Sequence, residues 1–143
     1  MPANQYGPPQ VCVGRAPAYW KDPRRLDQWP PPYRADTVPG PRGHQATRFD
    51  ALFEPSPYPR ETSFLEMLER EGRPPDDVAR HMVATLLNMA KGWVPVLTVI
   101  SVQGMWRRYI NTGGGTTGYF EPTRGTKWFH DDIVVYLRST MPV

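Results

Sequence analysis

His130-Asp131-Asp132 is where the chain sets an imidazole directly beside two carboxylates. Such a group can move protons, and with further ligands it can hold a metal. The same residues are also what opens a helix, because aspartates in a first turn meet free backbone N–H groups and the positive end of the helix dipole. We read the cluster as a cap. The other histidines, His44 and His81, lie far from His130 and from each other, and Cys12 is remote from all three. Zinc draws three or four ligands that are usually partly clustered in sequence, so no metal or other cofactor is expected. Gly113-Gly114-Gly115-Thr116-Thr117-Gly118 satisfies G-x-G-x-x-G literally. A phosphate cradle needs a strand before that motif and a helix N-terminus after it. Here a predicted helix precedes it and Tyr119-Phe120-Glu121-Pro122 follows, so it reads as a flexible loop.

Nucleophilic catalysis finds no better footing. G-x-S-x-G is absent, and the single cysteine lies in a segment where nothing fixes a base beside it. Glu66, Glu69 and Glu71 fall on the surface of a short predicted helix beside Arg70 and Arg73, a solvated arrangement rather than a catalytic carboxylate pair. The chain is therefore read as a non-enzyme. What remains is cationic and aromatic. Arg107 and Arg108 stand between Trp106 and Tyr109, and Arg24 and Arg25 stand among aromatics. Both pairs are candidates for contact with nucleic acid.

The elements that must position these residues differ between the two parts of the chain. From Glu61 onward, 23 residues are Val, Ile, Leu or Met, against six in residues 1–60. Ser63-x-x-Glu66 has capping-box spacing and predicts a short helix at about 62–71 that stops at Gly72. Pro74-Pro75-Asp76-Asp77 restarts the chain into a second helix at about 76–91. There Val78, Met82, Leu86 and Ala90 recur every four residues, flanked by Ala79, Val83 and Leu87, as one buried stripe. Residues 98–111 have a mixed pattern, but the spacing of Val99, Val102, Trp106, Tyr109 and Ile110, together with the length, predicts a helix. Residues 119–129 predict a small hairpin turning at Thr123-Arg124-Gly125. A last helix follows the 130–132 cap, with Ile133, Val134, Leu137 and Met141 on one face. The fold class is thus mainly α: a domain of three to four short helices at 61–143 with an irregular or hairpin connector near 113–129.

Residues 1–60 read as an extended arm without a core of its own. They hold 13 of the 18 prolines and eight aromatic side chains: Tyr6, Tyr19, Trp20, Trp29, Tyr33, Phe49, Phe53 and Tyr58. Each proline removes a backbone donor and biases its predecessor toward extended geometry. Polyproline II and turns are what remain, with short helical turns at 22–28 and 47–53 where the prolines pause. Charge divides at the same place. The arm has eight Lys/Arg against five Asp/Glu, and the remainder has nine of each.

Ordering 60 residues at about 1 kcal/mol each requires burial of about 2,400 Å² of apolar surface at ~25 cal/mol per Å². That is an interface of the large, permanent kind. The expected function is therefore a non-catalytic structural or accessory subunit of a larger assembly, such as a virion, a secretion apparatus or a multisubunit complex. Its partners are other protein subunits, met through Tyr19, Trp20, Trp29, Tyr33, Phe49, Phe53 and Tyr58. The alternative is a small nucleic-acid-binding protein in which the second and third predicted helices form a helix-turn-helix, with Arg107, Arg108, Arg24 and Arg25 as contacts. The neutral charge of 61–143 weighs against it. There is no signal peptide and no apolar run of membrane-spanning length, so the expected location is cytoplasmic or inside a particle.

Overall fold

The computed structural model describes residues 11–142. Tyr6 and Pro8-Pro9 lie outside the described residues. The architecture is mostly helical with one small antiparallel sheet. In chain order the helices are α1 (Pro17–Trp20), α2 (Phe49–Leu52), α3 (Phe64–Glu69), α4 (Asp76–Ala90), α5 (Val99–Asn111) and α6 (His130–Ser139), with a 3₁₀ turn at Pro23–Gln28. Strands β1 (Phe120–Thr123) and β2 (Thr126–Trp128) form the hairpin between α5 and α6. No helix among the described residues is long and apolar enough to cross a membrane.

Local sequence explains the boundaries from α3 onward. The Ser63 hydroxyl accepts from Glu66 N at 3.1 Å while the Glu66 carboxylate accepts from Ser63 N at 3.1 Å, closing the predicted capping box. Asp76 and Asp77 occupy the first turn of α4, and Gly92, at φ +77°, follows its C-terminus. Thr98 and Ser101 cap α5 by the same reciprocal exchange. Asp132 accepts from Phe129 N at 3.1 Å at the start of α6, the capping role its position predicts.

Helix α4 departs from the pattern read in it. Its periodicity predicts one broad apolar stripe, yet the helix is buried nearly all round from Val78 to Asn88, with Arg80 the half-exposed exception. The reason lies in what covers it: α3, α5 and α6 pack on it, and α1, from the proline-rich segment, packs on it as well. Three polar side chains are enclosed as a result, each with a partner. His81 Nδ1 lies 2.7 Å from the Asp77 carbonyl, the Thr85 hydroxyl donates to the His81 carbonyl, and Asn88 bonds to the segment that covers it.

The described part of the arm is thus packed on its own chain. Trp20, Trp29, Tyr33, Phe49 and Phe53 are buried in the same hydrophobic cluster as Met82, Leu86, Trp106 and Leu137. Phe49 meets the edge of Trp106 at 5.2 Å between ring centroids and stacks on Phe53 at 4.8 Å. Tyr33 packs on Phe64 at 5.4 Å. Asn88 Oδ1 accepts from Arg15 N at 2.9 Å and from Trp20 Nε1 at 3.0 Å, while Asn88 Nδ2 donates to the Arg15 carbonyl at 2.9 Å. Two further bonds pin the same stretch, Val13 N to the Trp93 carbonyl and Gly14 N to the Thr140 carbonyl. Gly14 has to be glycine at this crossing, since a Cβ there would lie 2.6 Å from Thr140 O.

Candidate interaction face

Among the side chains expected to meet a partner, Trp20, Trp29, Tyr33, Phe49 and Phe53 are between 0% and 6% exposed. This corrects their assignment as an interaction surface. They are unevenly spaced in sequence, but together they join the core to which 61–142 contribute their helices. Tyr19 and Tyr58 are half-buried. Tyr19 carries the Arg25 guanidinium over its ring at 4.2 Å and Arg15 at 5.2 Å. Tyr58 donates to Asp76 Oδ1 at 2.6 Å and lies under Arg70 at 4.8 Å. Burial, followed by the Asp76 carboxylate, pushes the Tyr58 phenol far above its ordinary value, and burial does the same to Tyr109. Both phenols stay protonated and donate, Tyr109 to the Gly115 carbonyl at 2.6 Å.

The basic candidates separate into two kinds. Arg24 is taken up locally, with Nη2 2.8 Å from Asp22 Oδ2 and Nε 3.1 Å from Asp22 Oδ1. Those bonds lower the Asp22 carboxyl to about 2. Arg25 lies between that carboxylate and the Tyr19 ring. Neither is a free cation poised for a phosphate. Arg107 and Arg108 are exposed on α5 as predicted, with Trp106 and Tyr109 in the core. Arg107 borders an open cleft of about 650 Å³ that it shares with Asp50, Glu54, Tyr58, Arg60 and Asn111. Two acids and two bases line that cleft, so it has no dominant sign.

The remaining sequence candidates fall to structural roles. Gly113, Gly114 and Gly115 all have positive φ, and the loop closes on itself through Gly114 N to Tyr109 O at 2.9 Å and Gly118 N to Gly114 O at 2.7 Å. Amides spent on internal carbonyls cradle no phosphate, and the expected flexible loop is a hydrogen-bonded cap on α5. His130 Nδ1 stands 3.7 Å from Asp77 Oδ2, a partner sequence spacing did not reveal. Among the described residues no group of three His, Cys, Asp or Glu side chains is placed to hold a metal. Glu71 lies 3.7 Å from Lys21, and Arg70 lies 3.6 Å from Asp76, instead of pairing among themselves. Cys12 is 2% exposed, and burial pushes its thiol up, away from the reactive thiolate.

The feature that sequence reasoning passed over is the connector from α4 to α5. Val94 and Leu97 turn inward and are buried, which leaves Pro95, Val99 and Ile100 outward, with Ile100 81% exposed. Beside them is a groove of about 420 Å³ whose walls include Pro31, Pro32, Leu86, Met89, Val94 and Leu97. The two proline walls come from the arm, held in place by buried Trp29 and Tyr33 on either side. Lys91 and Arg107 bracket this region, and the 15 residues between them carry no Asp, Glu, Lys or Arg. A stretch of that length without charge, exposed at Pro95, Thr98, Val99 and Ile100, was the available signal. No protein-family model matches the chain, and no curated protein or solved structure matches it either.

Proposed function

We propose that the protein is a non-catalytic accessory subunit of a larger protein assembly, docking through the face formed by Pro95, Val99, Ile100 and the adjoining groove. The observation that carries this reading is the coincidence of an outward isoleucine, an apolar groove and a charge-free stretch on one side of the molecule. Exposed apolar area rimmed by polar surface marks contact with another protein, and depletion of charge at its centre is what the buried middle of an interface requires. The arm serves this face as scaffold, because it supplies two groove walls while its aromatics hold the core. Ile100→Asp tests the reading. The side chain lies outside the core, so the melting temperature is expected to stay within a degree or two. In extracts of the cells that make it, the wild-type chain is expected to elute in a complex well above its own 16.3 kDa and the variant as a free chain. A wild-type protein that elutes free, or a variant that stays in the complex, overturns the reading.

One observation favours nucleic acid as a second reading. Arg107 and Arg108 project from α5 beside the hairpin that carries Arg124 and Lys127, and none of the four has an ion pair among the described residues. The acids beside Arg107 oppose it. Absence of retention on DNA or RNA at low salt ends it.

A further inference from the structure

We infer that the molecule also carries a patch for the surface of an anionic phospholipid bilayer, made by the Val11–Tyr19 stretch together with Lys91 and Trp93 at the end of α4. It does not rest on the docking reading above, since it uses neither Ile100 nor any wall of the groove beside it. Three kinds of side chain meet there. Val11 and Val13 are 48% and 51% exposed, while Cys12 and Gly14 turn inward. The Val13 amide donates to the Trp93 carbonyl at 2.8 Å, which ties the valines to the end of α4. Tyr19 and Trp93 are half-buried, with ring centroids 6.1 Å apart. Lys91 Nζ stands 5.5 Å from the Trp93 ring, and the Arg15 guanidinium 5.2 Å from the Tyr19 ring.

The two cations are not answered within the chain. Neither Arg15 nor Lys91 has an ion pair among the described residues. The acids of the same region are taken, Asp22 by Arg24 at 2.8 Å and Glu71 by Lys21 at 3.7 Å. Arg25 already stands over the Tyr19 ring at 4.2 Å, so Arg15 approaches a ring that holds a like charge. From Val11 to Trp20 the sequence has no acid at all. Such cations suit an anion supplied from outside, and the other two ingredients favour phospholipid over nucleic acid. Stacking on a base needs an open ring face, and here cations stand over both rings. Exposed valines gain nothing from a phosphodiester backbone, whereas beneath a headgroup layer they leave water. Tyrosine and tryptophan suit that same depth, and lysine and arginine reach outward from it to the phosphates. Each cation near an anionic leaflet is worth about fivefold in affinity, so two give weak binding that salt screens.

Cosedimentation of the full chain with vesicles tests the proposal, using phosphatidylcholine alone and phosphatidylcholine mixed with an equal part of phosphatidylserine. The chain is expected to bind the mixed vesicles at low salt, to leave them as salt rises, and to stay off the neutral ones. Lys91→Glu removes a cation and adds an acid on an exposed side chain, so binding should fall at least tenfold with unchanged melting. Val13→Ser keeps every charge and removes apolar surface, and should weaken binding several-fold. A chain that stays in solution with the mixed vesicles overturns the proposal, as does binding that both substitutions leave unaltered. Release by inorganic phosphate, beyond that given by chloride at equal ionic strength, assigns the patch to free phosphate and overturns the bilayer. Retention on single-stranded DNA that falls with Lys91→Glu, when vesicle binding is indifferent to Val13→Ser, assigns it to nucleic acid and overturns the bilayer as well.

Discussion

Residues 11–60 and residues 61–142 contribute to one hydrophobic cluster by opposite means. The second region does so mainly through continuous helices whose apolar residues recur at helical spacing, with α4 buried nearly all round. The first does so through single aromatic side chains in a proline-rich segment, entering the core from irregular backbone or, for Trp20 and Phe49, from one-turn helices. Trp20, Trp29, Tyr33, Phe49 and Phe53 are separated by 3 to 15 intervening residues and follow no period. The comparison teaches that shortage of aliphatic residues measures how a segment is built more than whether it belongs to a core. A large aromatic buries ~150–250 Å² from one position, and prolines reduce the entropy that fixing the intervening chain costs.

The strongest way to break this comparison is to remove the first region. A chain beginning at Glu61 loses all five aromatics from the core. Deleting one buried aromatic side chain costs about 3–5 kcal/mol, and the whole stability of a domain this size is about 5–15 kcal/mol. The truncated chain is therefore expected to lose cooperative unfolding and the near-UV circular dichroism of packed aromatics. A cooperative melt with native aromatic signals from that chain would restore the arm to the status of an appendage.

How much of this was legible in the sequence follows the same division. Ser63 with Glu66 announces α3, the Asp76-Asp77 start with the four-residue recurrence after it announces α4, the spacing of Val102, Trp106 and Tyr109 announces α5, and the 130–132 cap announces α6, and all four lie where those signals put them. The turn at Thr123-Arg124-Gly125 likewise marks the hairpin. The packing of the arm has no local signal. It depends on pairs such as Asn88 with Arg15 and Trp20, separated by 73 and 68 residues, and on Trp106 with Pro55, separated by 51. An asparagine within a helical stripe reads as surface until something arrives to satisfy it. The proposed docking face was half legible, since the lack of charge over 92–106 is in the sequence but the burial of Val94 and Leu97 that leaves Ile100 outward is not.

Asn88 offers a sharper instrument than deletion, because it separates holding the arm from filling the core. In Asn88→Ala the helix keeps a good helix former, while Trp20 Nε1 loses its partner in a buried setting and the Arg15 backbone loses its two in a half-buried one. Each buried group left unsatisfied costs about 1–3 kcal/mol, so a loss of about 2 kcal/mol or more is expected by urea denaturation. Hydrogen exchange should place the change unevenly, with amides at 13–20 losing protection well before those in the middle of α4. Equal loss in both would mean that the two regions open as one unit and that the latch at Asn88 is not separately released.

The smallest expected effect distinguishes the regions by pH. His81 in α4 has its ring held below the ordinary value of 6.5, chiefly by burial, with the charges of Arg80 and Arg138 acting the same way and the Asp77 carbonyl and carboxylate opposing. A histidine whose pKa is lower folded than unfolded contributes stability above about pH 6.5, and loses it as pH falls through the folded value, because the unfolded chain takes up the proton first. Asp22 in the arm is also lowered, to about 2 from 3.8, by its bonds from Arg24. Its contribution is present above 3.8 and is lost as pH falls toward 2, and solvent exposure keeps it slight. Melting temperature should therefore fall in two windows, the first beginning near pH 6.5 and the second near pH 4. His81→Gln should flatten the first and leave the second, and Asp22→Asn should shrink the second slightly and leave the first. A fall beginning at pH 6.5 that survives His81→Gln would move the sensitive group elsewhere.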